Sequence, residues 1–489
     1  MKKLLLMTAA VGGVLVAGAL ELAAWRGETV DAWLPTGETV GAAPAGFIVK
    51  TGVALDVKYA PKPKKPERAT VKDRVVWGSK AEGPRVVEIQ VPQVAKPGVY
   101  AIGDVKLRVV DHVLPPAKDW KFYLDFWQHP WAVARTAGAK PFSKEHYAAM
   151  EPLWKLLASA GQKTLTVSLI DLPWNHQCYD GYEPMVKYVR RADGTTSIDW
   201  TIFDEYVSFG KKCGLGPHIG CYTMCPWGNM VSWYDESGKL QKGKAAAGTP
   251  FFKEYWGPFL KAFAAHLKEK GWFEDAHISL DERSPEELRS TVEFMRTAAP
   301  GLKIALAGNR KPSEFKGVVV NSYSQSLGHV NPDFLAEVPQ RRKAGNVTTY
   351  YICCGPSKPN TFMDSELDES FWCGAYPAMC GLDGILRWAY NSWPADACVD
   401  ATYDVHGWRS GDTFLVYPDG SPSARFLELR NGIQQSEKFN ILKAQGVRVD
   451  ELNALAAKYD LKAALGKKNG DFRALVQETK DVLNRDRGL

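Results

Sequence analysis

Two adjacent carboxyls, Asp281 and Glu282, close the apolar stretch Ile278-Ser279-Leu280. The stretch reads as a buried strand that delivers both acids at its end. Two acids at a desolvated strand end repel each other, which raises the pKa of one of them. A protonated acid beside an ionised partner is a division of labour suited to acid–base chemistry. A plainer reading stands beside it here: the pair caps the helix that Ser284-Pro285 begins.

The ends of the other strand-like segments supply further candidates. The first ends in Trp127, His129 and Trp131, and the second in Asp171, Trp174 and His176. The third ends in Tyr222, with Trp227 and Trp233 beyond it. The sixth ends in Asn321 and Tyr323, the seventh in Tyr350-Tyr351, and the eighth in Trp388, Tyr390, Asn391 and Trp393. Flat aromatic rings stack on the C–H face of a sugar, while Asn, His and Asp hydrogen-bond its hydroxyls. One Trp at a strand end is more often rim packing, but so many on one side point to a carbohydrate cleft. The seventh segment continues Ile352-Cys353-Cys354-Gly355 and offers no carboxylate. Many sugar-cleaving barrels place an acid after strand four and a nucleophile after strand seven. A 2-acetamido sugar removes the need for the second, because its own carbonyl oxygen can attack the anomeric carbon.

Positioning these residues requires strand–helix alternation. Strands are expected at residues 121–126, 164–170, 218–222, 277–280, 303–306, 318–321, 348–352 and 384–388. Helices are expected at about 143–160, 202–212, 251–270, 285–297, 331–343 and 366–379. Eight such steps predict an α/β chain with a (β/α)8 TIM-type barrel over 117–400. A doubly wound open sheet is the alternative, but Trp127-Gln128-His129-Pro130 is not the glycine-rich turn it would carry after strand one. Residues 20–116 read as a small β-sandwich-like module, with strands near 46–53, 85–94 and 105–113, a hairpin arm at 99–102 and a stiff Pro115-Pro116 link. Residues 401–489 read as an extension: a strand at 413–417, a helix from Ser423, and a solvated helical tail.

The whole chain has 489 residues and a net charge of +6 spread along its length. Its one dense basic cluster, at 62–68, reads as a Pro-stiffened loop and not as a nucleic-acid surface, which would be broad. Lys2-Lys3, an apolar run to Val16 and Ala17-Gly18-Ala19 read as a signal peptide over 1–19. The first cysteine is Cys178, so no lipid anchor follows the apolar run. A periplasmic or secreted protein is expected, with no stable membrane insertion once the signal is removed. Nine cysteines leave at least one unpaired or paired between chains. Neither Cys221 and Cys225 nor Cys353-Cys354 has zinc-knuckle spacing, so packed thiols are expected, with no metal and no cofactor. The oligomeric state is not legible.

Several stretches together resemble glycoside hydrolase family 123, whose members act on β-linked N-acetylgalactosamine. They are Asp125-Phe126-Trp127-Gln128-His129-Pro130-Trp131, Pro173-Trp174-Asn175-His176-Gln177, Cys221-Tyr222 with Pro226-Trp227, and Leu280-Asp281-Glu282. Near the C-terminus, Tyr417-Pro418-Asp419-Gly420 and the run from Ser423 to Gly432 also look like the family. The resemblance spans about 120–442 and implies release of N-acetylgalactosamine from a glycan or glycolipid by a retaining, substrate-assisted route. It implies that Asp281 orients the acetamido group and steadies the oxazolinium charge, while Glu282 protonates the leaving oxygen and then activates water. Tyr323 is the candidate hydrogen bond to the acetamido oxygen, and Trp388 the wall for its methyl. The remaining candidate sugar contacts are His129, Trp131, Trp174, His176, Tyr222, Trp227, Asn321, Tyr351, Asn391 and Trp393. A β-N-acetylglucosaminidase and a non-catalytic glycan-binding barrel are the alternatives.

Overall fold

The structure, a computed structural model, describes residues 20–62, 65–466 and 472–486. The expected signal peptide at 1–19, and Pro63 and Lys64 of the basic cluster, lie outside the described residues.

Eight parallel strands form the barrel sheet. They are β1 (Tyr123–Phe126), β2 (Thr164–Ser168), β3 (His218–Tyr222), β4 (Ala276–Asp281), β5 (Lys303–Gly308), β6 (Ser322–Ser326), β7 (Val347–Ile352) and β8 (Gly384–Arg387). They pair in order around the ring, with β8 beside β1. Gly384 is required there, because a Cβ on it would stand 1.8 Å from the Tyr123 carbonyl oxygen. Between β1 and β2 the ladder thins to one bridge, Leu124 with Gln162. Two buried glutamine amides close the seam. Gln162 accepts from Phe126 N–H at 3.0 Å and donates to the Thr164 carbonyl at 2.6 Å. Gln128 accepts from Thr166 N–H at 2.8 Å and donates to the Thr164 carbonyl at 3.2 Å. Each amide has the donor and acceptor pair of a peptide unit, so it can replace a missing rung.

Strand six is the main correction. The β-branched run Val318-Val319-Val320 lies outside the strand, which begins at Ser322, and Val319 is 57% exposed. The expected strand at 413–417 is also absent: the segment makes only isolated bridges, Asn391 with Phe414 and Val416 with Pro422. Caps explain several helix starts. Ser143 and Thr249 accept from His146 N–H and Phe252 N–H, respectively. Ser284 and Glu287 form a reciprocal capping box for helix Pro285–Ala298. That box leaves Asp281 and Glu282 without a capping role, which removes the plainer reading of the pair.

Residues 20–113 form seven strands in two sheets, one of three and one of four. Strands Leu20–Arg26, Thr29–Leu34 and Ala69–Trp77 were not foreseen from the sequence. The module is stitched to the barrel side through backbone bonds between Lys58 and residues Val399 and Ala401, at 2.9 and 2.7 Å. The long helix Ala424–Ala444 is buried along most of its length, charged residues included. It lies so close to helix Leu367–Cys380 that a Cβ on Gly374 or Gly432 would strike the other helix's backbone. Among the described residues no helix is long and apolar enough to cross a membrane.

Candidate active site

Asp281 is the last residue of β4. Neighbours in a strand point to opposite faces, so a plain extension would separate the two carboxyls. Glu282 instead adopts a left-handed backbone, φ 47°. Its N–H still bonds the Ala307 carbonyl of β5 at 2.8 Å. Such a conformation costs a non-glycine residue on the order of 1–3 kcal/mol and persists where the surroundings dictate it. Both charges then act on one hydroxyl, that of Tyr351.

Each carboxylate has its own neutral donor. Trp227 Nε1 donates to Asp281 Oδ2 at 3.0 Å, and Tyr351 donates to Glu282 Oε1 at 2.8 Å. Arg283 Nε donates to the Asp281 carbonyl at 2.7 Å, and its guanidinium lies 5.2 Å from the Trp227 ring centre. Burial and the charge of Glu282 push Asp281 up to about 7, against the opposing pull of Trp227 and Arg283. Burial and Glu282 push the Tyr351 hydroxyl far above its usual range, so it remains a donor.

Aromatic rings gather at and beyond the ends of the neighbouring strands. Trp127 stacks on Trp174 at 4.9 Å, and each lies 4.7 Å from Tyr222. Trp388 meets Trp408 edge-on at 5.7 Å. Their indole N–H groups bond Asp412 Oδ1 at 3.1 Å and the Gln177 carbonyl at 3.1 Å. Cys353 and Cys354 follow Tyr351 with sulfurs 3.8 Å apart. The hydrogen bond between them holds the exposed Cys354 thiol down to about 7. All nine cysteines are free in the structure.

The expected sugar contacts divide. Trp227, Tyr351 and Trp388 stand with the pair or on the partly exposed rim, while Trp174 and Tyr222 form the wall beside it. His176 is exposed on the loop after β2. Tyr323 is a correction: it is 0% exposed, its hydroxyl bonds the backbone of Arg310 and the side chain of Gln325, and its ring packs on Phe315 and Phe334. Asn321 is another, for it precedes β6 and bonds the start of β5 through Ile304 and of β7 through Val347. Asn391 and Trp393 are buried and spoken for, bonding the backbone of His129 and of Val416. His129 stacks 4.0 Å from Tyr182 with Nε2 on the Asp180 carbonyl, and burial lowers it to about 3. Trp131 packs against Tyr182 and Phe142. His129, Asn391 and Trp393 are enclosed and offer a sugar no surface.

Asp125 is a further carboxyl at this end of the barrel. It is 8% exposed at the end of β1, and burial pushes it up to about 7. A lone Asp inside Tyr123-Leu124-Asp125-Phe126 was the signal available for it. Trp408 and Asp412 come from a loop whose path the sequence does not reveal.

Residues 127–442 match the family described as glycoside hydrolase 123, catalytic domain. Among solved structures, the chain is similar to a family 123 glycoside hydrolase from Clostridium perfringens, studied for glycolipid glycan hydrolysis. The TM-score is 0.81 at 22% identity, over 95% of this chain and 92% of that one. A xylanase 10C from Cellvibrio japonicus aligns at a TM-score of 0.37 and 10% identity, over 83% and 90% of the two chains. No curated protein matches the chain.

Proposed function

Since the chain belongs to glycoside hydrolase family 123, we propose that it releases terminal β-linked N-acetylgalactosamine by a retaining mechanism with the substrate's acetamido group as nucleophile. The observation that carries this reading is the pair at the end of β4. Asp281 and Glu282 are held by separate donors, Trp227 and Tyr351, and β7 continues into Cys353-Cys354 without a carboxylate.

In the first step Glu282 gives its proton to the glycosidic oxygen as the C1–O bond breaks. The acetamido carbonyl oxygen bonds to C1 from the opposite face. Asp281 accepts the amide N–H, and a carboxyl near neutrality can take that proton as positive charge develops on the new ring. In the second step Glu282, now ionised, takes a proton from water as its oxygen attacks C1, and the acetamido group reforms. Two inversions retain the β configuration. Tyr351, in reach of Glu282, replaces Tyr323 as the hydroxyl we assign to the acetamido oxygen.

The Clostridium enzyme was studied for glycolipid glycan hydrolysis, and we assign the same substrate class here. We also assign export to the 1–19 segment.

The test is hydrolysis of 4-nitrophenyl N-acetyl-β-D-galactosaminide followed by NMR. The β-anomer should form first, and a galacto-configured thiazoline should inhibit. Turnover with the α-anomer first, or indifference to the thiazoline, would overturn the mechanism. Failure to turn over either this substrate or its gluco epimer would overturn the hexosaminidase reading.

A further inference from the structure

Asp125 is a carboxyl that the mechanism above leaves unused. Its Oδ1 is sealed from solvent without a hydrogen-bond partner, and no ion pair includes the residue among the described residues. A buried carboxyl oxygen without a partner is destabilising, so its retention calls for an explanation. Burial alone lifts the group to about 7.

Its place in the barrel gives one. Asp125 is in register with Leu386 of β8, and Leu386 with Tyr351 of β7. Register partners share a face, so Asp125 looks inward with the hydroxyl that holds Glu282. The Tyr222 hydroxyl feels the charges of both Asp125 and Asp281. The Trp127 and Trp174 rings lie against Tyr222, and their indole N–H groups are likewise buried without partners. β1 stands three strands around the ring from β4. In a pyranose, C4 lies opposite C1. A sugar with its anomeric carbon at Asp281-Glu282 and its ring laid along Tyr222 and Trp127 would bring its C4–C6 edge to β1.

We propose that Asp125 binds the sugar's hydroxyls along the C4–C6 edge and sets the preference between N-acetylgalactosamine and N-acetylglucosamine, which differ at C4. The proposal rests on the hexosaminidase reading. A carboxyl whose proton affinity burial has raised can accept from one hydroxyl and, when protonated, donate to its neighbour. A site built to hydrogen-bond a hydroxyl discriminates strongly, because the wrong epimer leaves the buried group unpaired.

The experiment measures kcat/KM of wild type, Asp125→Asn and Asp125→Ala on the 4-nitrophenyl β-glycosides of both sugars. Thermal melting is followed alongside. Asp125→Ala should lower kcat/KM on the preferred sugar by about 100-fold and shrink the ratio between epimers by about tenfold or more. Asp125→Asn, which keeps shape and hydrogen-bonding capacity, should recover part of both. An unchanged epimer ratio in Asp125→Ala, whether activity holds or falls equally on both sugars, would overturn the proposal. That result, with wild type active, leaves the hexosaminidase reading intact, whereas an inactive wild type would remove both.

Discussion

Two of the regions where the protein buries acidic groups treat them differently. Along helix Ala424–Ala444 three cations meet buried acids of the N-terminal module, while the helix's own Glu437 is held by the backbone N–H groups of Lys121 and Phe122. Arg425 forks onto Asp73 with both contacts at 3.0 Å. Arg430 reaches Asp31 at 2.7 Å and Glu88 at 2.8 Å, and Lys438 reaches Glu28 at 2.6 Å. Arg430 holds Glu88 down to about 2, while burial and Glu88 lift the deeper Asp31. In the cleft, Asp125, Asp281 and Glu282 take part in no ion pair among the described residues. The interface joins helix to sheets with its charge neutralised. The cleft leaves proton affinity available for chemistry. Cation pairing is thus absent from the cleft: Glu28, Asp31, Asp73 and Glu88 each have a cation, and Asp125, Asp281 and Glu282 have none in an ion pair among the described residues.

Substitutions should separate the two regions in the same way. The largest effect should come from Glu282→Gln, lowering kcat about 10²–10⁴-fold with the melting temperature unchanged, by aryl-glycoside assay and calorimetry. Across the divide, Arg430→Ala strands Asp31 and Glu88. It should destabilise by about 3–5 kcal/mol in denaturant unfolding while the folded fraction keeps its kcat. A smaller loss, about tenfold in kcat with little change in KM, should follow Tyr351→Phe, which takes the donor from Glu282.

The smallest effect is a pH-dependent gain in stability. Asp281 has a raised pKa in the folded state, so folding is favoured while it is protonated. That contribution fades as pH rises from about 4 to about 7. Asp281→Asn should match wild type in melting temperature near pH 4 and exceed it by about 1–3 °C at pH 8. An equal offset at both values would show that the carboxyl does not titrate as described.

The barrel was legible because its strands are short apolar runs followed by capped helices. The candidate pair stood out because it directly follows the buried run of β4. Strand six was not, since Ser322, Ser324 and Ser326 alternate with Tyr323 and Gln325 and read as loop beside three consecutive valines. Placing the strand a few residues early puts Tyr323 at a strand end, whereas it lies buried within β6. The spine role of helix 424–444 was hidden for another reason. The acids that match its cations lie 342–410 residues earlier in sequence, a distance that no local pattern spans.

The glutamine seam between β1 and β2 has a mechanical consequence. Seven junctions of the ring are continuous ladders, while this one is a clasp of two side-chain amides. Strain entering the ring will open it there first, before any full ladder yields. β1 and β4 stand on opposite sides of that clasp, so the edge bearing Asp125 can shift while Asp281 and Glu282 stay fixed. Substitutions at Gln128 and Gln162 should therefore move β1 against β2 before they disturb β4 and its carboxyl pair.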